Sequence, residues 1–168
     1  MSEPLIREAA PADAAAINDI YNDAVLASTA TFHIQPLTLD ERLAWLHEHS
    51  ATLYPAFVAE TDGRIAGWAA LSRYATRCAY RFTVEDSIYV ARDCRRRGIG
   101  AALLQRLLLA AAECRHHSVI AQVADHNRAS IMLHEAFGFR TVGELKEVGF
   151  KLGHWLDITV MQKMIGPE

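Results

Sequence analysis

The chain has 168 residues and a formal net charge of -3 at pH 7, and its composition is 51% hydrophobic and 22% charged. These values are typical of a folded globular protein and exclude an intrinsically disordered or strongly basic chain. We therefore expect one compact domain over residues 1–168, with no general affinity for nucleic acid.

The sequence also carries information on compartment. Its N-terminal residues lack the basic and apolar pattern of a signal peptide, and no apolar run approaches the roughly 20 residues that span a bilayer. The three cysteines, Cys78, Cys94 and Cys114, are odd in number and fit no metal-binding or redox spacing. We expect a cytoplasmic protein without a metal site or a membrane partner.

The N-terminal segment predicts a strand, a helix and a loop. Residues 5–9 have the character of a short strand, and Pro11 suits the first turn of a helix whose core face includes Ile17 and Tyr21. Residues 28–37 lack periodicity and predict a loop. Within that loop, Phe32 either caps the core or lines a ligand pocket.

A second helix is expected to begin near Leu39, because residues 38–41 have the form of a capping box. Its predicted apolar stripe is Leu39, Leu43 and Leu46. His47 and His49 near its end match no metal-binding motif, and we interpret them as surface residues.

Residues 55–60 and 65–71 predict a β-hairpin, because an Asp-Gly pair lies in the connection between them. Residues 72–80 show little periodicity and predict a loop that carries Tyr74, Thr76 and Arg77.

The next strand, over residues 83–90, alternates in character. Val84, Asp86, Ile88 and Val90 lie on one face of the pleat, and Glu85, Ser87 and Tyr89 lie on the other. A glycine-bearing basic turn follows, and a run of helix-forming residues extends to Ala112. The free amide groups of a helix N-terminus, close to glycines and arginines, predict an anion site that suits a pyrophosphate.

The remainder of the chain predicts a strand over residues 118–124, a short helix from about Ala129 to Phe137, and strands over residues 140–145 and 155–162. Strands grouped first as a meander and then joined by helices indicate an α/β (α+β) sandwich, in which a mixed, mostly antiparallel central sheet is flanked by helices.

Two motifs in the correct order are similar to those of the GNAT superfamily of acetyl-coenzyme A-dependent acyltransferases. The first is R-x-x-G-x-G, from Arg95 to Gly100. The second is N-x-x-[AS]-x-x-x-Y-x-x-x-G-F, which this chain matches from Asn127 to Phe139, with His134 where Tyr is usual. The resemblance implies the same sandwich, with acetyl-coenzyme A in a gap where the strands beside Glu85 and Val119 separate.

Further stretches narrow the resemblance to one group. Y-R-x-T-V-E (80–85), L-H-E-A-F-G-F (133–139) and E-V-G-F-K-L-G-H-W-L-D (147–157) resemble phosphinothricin and methionine sulfone/sulfoximine acetyltransferases. This resemblance covers nearly the whole chain. It implies a small amino-acid-like acceptor, direct acetyl transfer to its amine, and a homodimer. Arg96 departs from the group, because Gly is frequent at that position.

The resemblance also implies binding residues. The cofactor would contact the strand at Ile88, Tyr89 and Val90, the turn at Arg95, Arg96, Arg97, Gly98, Ile99, Gly100 and Ala101, and the last helix at Asn127 and Ser130. The acceptor would be bordered by Phe32, Tyr74, Thr76, Arg77, Glu85 and Asp86. The segment from Lys151 to Trp155 would shape the pocket or a dimer contact.

An amine attacks a thioester only in its unprotonated form, so a base is required, and Glu85 is our candidate. The alternative is a strand carboxylate paired with Arg77 or Arg81. The leaving thiolate takes a proton from His134 or Tyr89, or else His134 is a structural helix residue and Tyr89 packs. Arg77 suits a carboxylate or phosphinate of the acceptor, because a guanidinium binds such groups in a bidentate manner.

Three other functions remain open from sequence. The first is acetylation of peptide N-termini or of a polyamine within the same fold. The second is a sensor that binds acyl-coenzyme A without turnover. The third is nucleic-acid binding through Arg92 and residues 95–97, which the net charge disfavours.

Overall fold

The computed structural model describes residues 3–49 and 53–166. The strands are β1 (Leu5–Glu8), β2 (Ala56–Thr61), β3 (Arg64–Arg73), β4 (Thr83–Val90), β5 (Ser118–Ala124), β6 (Arg140–Lys151) and β7 (His154–Met164). The helices are α1 (Ala14–Ala27), α2 (Leu39–Glu48), α3 (Ile99–Glu113) and α4 (Arg128–Ala136).

The strands form one sheet in the order β1-β2-β3-β4-β5-β7-β6. β4 and β5 are parallel, and every other neighbouring pair is antiparallel. The predicted mixed, mostly antiparallel sheet flanked by helices is therefore confirmed. None of the helices in the described residues is long and apolar enough to cross a membrane.

Each face of the sheet buries its own apolar cluster, because successive side chains of a strand point to opposite faces. On one face, α1 and α2 pack Ile17, Tyr21 and Leu46 against Val58 and Trp68 of β2 and β3. On the other face, α3 packs against the side chains of alternate parity, which are Phe57, Ala69, Leu71 and Val84. The strand alternation of the sequence thus decides which helix covers which residue.

The capping box of α2 is confirmed. The Thr38 hydroxyl accepts a bond from the Glu41 amide at 3.2 Å, and the Glu41 carboxylate accepts one from the Thr38 amide at 2.7 Å. The predicted apolar stripe is wrong at Leu39, which is 47% exposed, whereas Arg42 is only 2% exposed. The Arg42 guanidinium can occupy the core because it lies over the rings of three aromatic residues, Tyr21, Trp45 and Trp68, at 4.7, 4.8 and 5.3 Å.

The two histidines near the end of α2 differ. His47 is exposed, as predicted, but the prediction that His49 is a surface residue is wrong. His49 is half-buried against Trp45, whose carbonyl accepts a bond from its Nδ1 at 2.7 Å, and its Nε2 lies 3.2 Å from the Ser72 hydroxyl. The Trp45 carbonyl can only accept, so Nδ1 carries a proton, whereas the Ser72 hydroxyl can either donate to Nε2 or accept from it. Burial lowers the pKa of His49.

Other boundaries follow local backbone geometry. The Asp62-Gly63 turn has φ of 50° and 75°, which is the left-handed geometry that a two-residue hairpin requires. β6 extends to Lys151, beyond the predicted end at Leu145. Register shifts between Thr141 and Gly143 and between Leu145 and Gly149 interrupt its alternation, so the period of two was not visible in the sequence.

Gly67 of β3 determines how closely α3 approaches the sheet. A Cβ atom there would lie 2.9 Å from the Tyr89 carbonyl oxygen and 3.2 and 3.3 Å from side-chain carbons of Ile99 and Leu103. The Tyr89 carbonyl is a backbone atom that cannot move away cheaply, so β4 would have to shift, together with the two side chains of α3. The start of α3 and the end of β4 are therefore held close to β3 by the absence of a side chain at residue 67.

We predict that Gly67→Ala lowers the free energy of unfolding by about 1–3 kcal/mol, because overpacking forces the sheet and α3 apart. Urea denaturation measures this change. Gly143→Ala is the matched control, since a Cβ at that strand glycine meets nothing within 4 Å. Equal stability of the two variants would contradict the prediction.

Candidate active site

The central feature of the site is the point at which β4 and β5 separate. The two strands pair only from Thr83 to Glu85 of β4, opposite Ser118 to Ile120 of β5. Beyond that point, in the described part of the chain, β5 pairs with β7 and no longer with β4. The backbone edge of β4 from residue 86 to 90 therefore faces an opening, as the predicted separation of these strands requires.

The glycine turn lies at the end of this opening. Arg96 and Gly98 both adopt positive φ, 60° and 78°, and α3 begins at the next residue, Ile99. The left-handed geometry of Arg96 explains why Gly is frequent at this position in the group that the sequence resembles. Arg95, Arg96 and Arg97 are exposed, and the Arg95 Nε donates to the Val90 carbonyl at 3.2 Å. Helix amides and guanidinium groups thus meet at one place.

A groove of about 480 Å³ runs from this turn along α3. Arg97, Gly98 and Arg106 line it on the helix side, and Glu3, Pro4 and Ile6 line it on the side of β1. It lies beside the predicted phosphate-binding turn and does not include Glu85.

Asn127 occupies the N-cap of α4, directly after β5 ends. Its Oδ1 accepts a bond from the Ser130 amide at 3.2 Å. This contact uses the side-chain oxygen, and within residues 3–49 and 53–166 its Nδ2 has no acceptor. The Ser130 carbonyl and hydroxyl both face Nδ1 of His134, at 2.7 and 3.4 Å. Ser130, predicted to bind the cofactor, thus makes its polar contacts within α4.

Glu85 is the last residue of β4 that pairs with β5, so it lies where the two strands begin to separate. Its side chain is half-buried, and Oε2 accepts a bond from Nε2 of Gln122 at 2.9 Å. Burial raises the pKa of Glu85 above its usual value, the Gln122 bond opposes this, and the neighbouring charge of Asp86 adds to it. In the described residues Glu85 makes no ion pair with Arg77 or Arg81, so the alternative of a strand salt bridge is not supported.

Asp86 does not lie beside Glu85 at the same surface, because consecutive strand residues point to opposite faces. Its Oδ2 accepts a bond from His134 Nε2 at 2.9 Å, and the two side chains are 2% and 5% exposed. The prediction that Asp86 borders the acceptor is therefore not supported by the geometry. The Asp86–His134 hydrogen bond instead connects α4 to β4.

His134 donates from both ring nitrogens, because a carbonyl and a carboxylate can only accept. It is therefore an imidazolium, with Nδ1 bound to Ser130 and Nε2 bound to Asp86. Burial lowers the pKa of His134, but the hydrogen bond and the charge of Asp86, with the Ser130 carbonyl, outweigh burial and raise it. These contacts favour the structural alternative over a proton donor.

Tyr89 belongs to the aromatic cluster under α1 and α2. Its ring stacks on Trp68 at 4.9 Å and meets Tyr21 edge-on at 5.1 Å, and its hydroxyl donates to the Ala30 carbonyl at 3.2 Å. Burial raises the pKa of Tyr89. The side chain packs, while its backbone remains on the open edge of β4.

Four of the predicted acceptor residues come from two loops. Phe32 is 38% exposed and its ring packs over Gly149 of β6, where a Cβ would lie 2.4 Å away. Tyr74 is 39% exposed and meets Tyr80 edge-on at 5.6 Å. Thr76 and Arg77 are exposed in the connection from β3 to β4. Because Ser72 is the Cα partner of Glu85, this connection leaves the sheet close to the candidate base.

Sequence reasoning missed the residues that hold the loop after α1. Lys151 is 5% exposed, and its ammonium donates to the Thr31 carbonyl at 2.8 Å. The Tyr21 hydroxyl lies 2.8 Å from both the Thr31 hydroxyl and His33 Nδ1. In the sequence, Lys151 is marked only by its place in the motif of residues 147–157. Gln122, the partner of Glu85, is marked only as a polar residue within an apolar strand.

One cluster of potential metal ligands lies away from this site. His126, Glu144 and Asp157 converge between the end of β5 and the β6–β7 hairpin. The Lys146 ammonium lies 2.8 Å from Glu144 and 3.0 Å from Asp157, so both carboxylates already contact a cationic side chain.

Comparison with known families decides the class of protein. The model of the acetyltransferase (GNAT) family matches residues 17–139, which include β4, the glycine turn and α4. The chain belongs to this family. It is an acetyl-coenzyme A-dependent N-acetyltransferase, and the resemblance that the motifs indicated is confirmed.

Close relatives include an L-methionine sulfoximine/L-methionine sulfone acetyltransferase of Salmonella typhimurium, which is 40% identical over 94% of this chain and 92% of its own length. A phosphinothricin N-acetyltransferase of Alcaligenes faecalis is 41% identical over 90% of this chain and 77% of its own length. An acetyltransferase structure from Salmonella typhimurium with its cofactor acetyl-coenzyme A superposes with a TM-score of 0.95 at 38% identity, covering 99% of this chain and 96% of the other.

We predict that Asp86→Asn lowers the free energy of unfolding by about 3 kcal/mol at about pH 6, because it leaves a buried imidazolium without its carboxylate. The pKa of His134 is higher in the folded protein than in the unfolded chain. The Asp86–His134 pair therefore stabilises the folded protein fully below the unfolded-state pKa, and this contribution is lost as the pH rises through the folded-state pKa. The difference between wild type and variant should therefore shrink by about pH 9.

Urea denaturation at the two pH values measures this difference. His47→Gln is the control, since His47 is exposed. A difference that stays constant with pH would show that the pair is not ionic.

Proposed function

We propose that this N-acetyltransferase acetylates the free amine of a small amino-acid-like acceptor, of the phosphinothricin, methionine sulfone or methionine sulfoximine type, by direct attack on acetyl-coenzyme A. The observation that carries the proposal is the half-buried Glu85 carboxylate at the point where β4 and β5 separate. The names of the relatives at about 40% identity support this acceptor class.

The opening and the glycine turn fit acetyl-coenzyme A, which supplies the activated acetyl thioester. The unpaired edge of β4 at Ile88, Tyr89 and Val90 would hold the acetyl and pantetheine portion through backbone groups. The first amides of α3 and the arginines of residues 95–97 would hold the pyrophosphate. Asn127 retains an amide group for the pantetheine arm, because only its oxygen is used in capping α4.

Glu85 is the proposed base. A carboxyl group whose pKa is raised by burial takes a proton from an ammonium more effectively than a fully solvated one. It acts directly or through a water molecule. A backbone amide of β4 near Tyr89 or Val90 would stabilise the negative charge that develops on the acetyl oxygen.

His134 is proposed as a positioning residue and not as the acid that protonates the sulfur. Both of its nitrogens already donate to protein acceptors, so a proton given to the sulfur would break a buried ion pair. The Tyr89 hydroxyl likewise donates to the Ala30 carbonyl. The coenzyme A thiolate is itself a fair leaving group, and its proton would then come from water.

Arg77 is the residue proposed to bind the acidic group of the acceptor. It is exposed near Glu85 and makes no ion pair within the described residues, so its guanidinium is available for a carboxylate or phosphinate. Phe32, Tyr74 and Thr76 would form the walls. A site that binds an acidic group in this way suits a small zwitterion better than a peptide or polyamine.

We also propose a cytoplasmic homodimer that uses the β6 edge. Val142, Leu145, Val148 and Phe150 of β6 are 47–57% exposed, and Trp155 of β7 is 59% exposed beside Phe150. An exposed apolar edge strand of this kind is a typical interaction surface. Cys78, Cys94 and Cys114, all in the described part, form no disulfide, which suits a reducing compartment.

The arginine cluster supports a phosphate-binding role over nucleic-acid binding. Arg92 is used internally, because it pairs with Asp23 at 2.6 Å and donates to the Ala27 carbonyl, and Arg95 donates to Val90. Arg92 and Arg95 therefore already have partners within the chain, although all four arginines are exposed.

We predict that Glu85→Gln lowers kcat roughly 10²–10⁴-fold, because the amide cannot accept the amine proton. Release of free thiol from acetyl-coenzyme A measures turnover on methionine sulfone, methionine sulfoximine, phosphinothricin, common amino acids, spermidine and a short peptide. In the wild type, log kcat/KM should rise with pH through an apparent pKa above the ordinary glutamate value of 4.5.

Glu113→Gln is the control, since this exposed carboxylate lies at the far end of α3. Turnover of spermidine or the peptide alone would overturn the acceptor class. Tight binding of acetyl-coenzyme A with no turnover of any compound in the panel would favour the alternative of a sensor that binds acyl-coenzyme A without catalysis.

We predict that Phe150→Ser converts the proposed dimer to a monomer, because it removes an exposed aromatic group that lies against Trp155 on the β6 surface. Size-exclusion chromatography with light scattering measures the mass. Leu26→Ser, which removes an apolar side chain that is 62% exposed on α1, should leave the dimer intact. A wild-type chain that runs as a monomer contradicts the proposed interface.

A further inference from the structure

Gln122 stands out within β5. Its neighbours Ile120, Ala121, Val123 and Ala124 are all buried, whereas Gln122 is exposed. A strand in the interior of a sheet does not need a polar side chain for packing, and β-propensity favours branched or aromatic residues at such a position. Its side chain is therefore not part of the packed core and is free to contact a neighbouring strand.

The position of Gln122 relative to Glu85 is set by strand register. Ile120 is the last residue of β5 that pairs with β4, and its Cα partner is Glu85. Gln122 follows two residues later, so its side chain points to the same face as that of Ile120 and of Glu85. By this point β5 has turned away from β4 and pairs with Val160 of β7. The Gln122 side chain must therefore reach across the beginning of the opening.

The contact itself spans the two strands. Gln122 Nε2 donates to Oε2 of Glu85 at 2.9 Å, and among the described residues no other donor reaches this carboxylate. One oxygen of the base is held by a neutral amide, and Oε1 is left to meet the acceptor amine. A single fixed oxygen restricts rotation of the carboxylate without neutralising it.

The other titratable groups around Glu85 do not duplicate this contact. Asp86 is on the opposite face and is bound to His134. Tyr89, on the same face, donates to Ala30. From β3, Ser72 lies opposite Glu85 and bonds with His49, the residue after α2, whose pKa is lowered by burial. Burial alone would keep Glu85 protonated to higher pH, and the donor that favours its ionised form is Gln122.

We propose that Gln122 is a positioning residue that orients the Glu85 carboxylate toward the acceptor amine and keeps it ionised. This inference rests on the proposed role of Glu85 as the base. A hydrogen bond to the charged form of a group favours that form, and the effect of a bond to a charged partner is larger than that of a neutral pair.

The test is Gln122→Met, which keeps an unbranched side chain of similar length and removes the donor. We expect kcat/KM at about pH 7 to fall roughly tenfold or more, with an unchanged KM for acetyl-coenzyme A. The acidic limb of the pH profile should move to higher pH, and the loss should diminish above that limb. Gln122→Glu places a second carboxylate at the same point and should move the limb further.

Gln162→Met is the matched control, since Gln162 of β7 donates to the Ser118 hydroxyl at 2.9 Å and does not contact Glu85. Wild-type rate and pH profile in Gln122→Met, with turnover abolished in Glu85→Gln, would overturn this inference and leave the proposed function intact. Full activity of Glu85→Gln would overturn both. Circular dichroism and urea denaturation of each variant separate a loss of positioning from a loss of fold.

Discussion

The parallel contact between β4 and β5 is the constraint on which the site depends. A β-strand inside a sheet normally has every backbone donor and acceptor paired on both sides, and leaving them unpaired away from water is costly. Here β4 is paired to β3 from Val84 to Val90 but to β5 only through Thr83–Glu85. The strand therefore presents an ordered row of backbone groups to whatever enters the gap. β7, which pairs with all of β5, keeps the other side of the gap fixed.

Strand geometry also separates two carboxylates that are adjacent in sequence. Glu85 points to the face covered by α1 and α2 and meets a neutral amide, whereas Asp86 points to the α3 and α4 face and meets an imidazolium. The ion pair with His134 gives Asp86 a structural role and compensates its negative charge. A neutral partner leaves the charge of Glu85 available for chemistry. The different partners, and not the residue type, distinguish the two roles.

Much of the fold was predictable from sequence because its signals are local. The capping box at Thr38, the Asp-Gly turn at Asp62 and the alternation of β4 each depend on a few neighbouring residues. The contacts that were missed join distant parts of the chain. Neither the burial of Arg42 under aromatic rings nor the Lys151–Thr31 contact has a local pattern. The roles of His134 could be separated only by seeing both acceptors of its ring.

The aromatic cluster around Arg42 has an optical consequence. Trp45 and Trp68 lie 5.3 Å apart, and Trp68 stacks on Tyr89, whose backbone borders the opening. The third tryptophan, Trp155, is exposed on the β6–β7 hairpin. The chain thus contains two spectroscopically distinct indole environments, one next to the cofactor gap and one on the proposed contact surface. We expect emission from the first to change when the gap is filled, and emission from the second to change if the proposed dimer forms, without any added label.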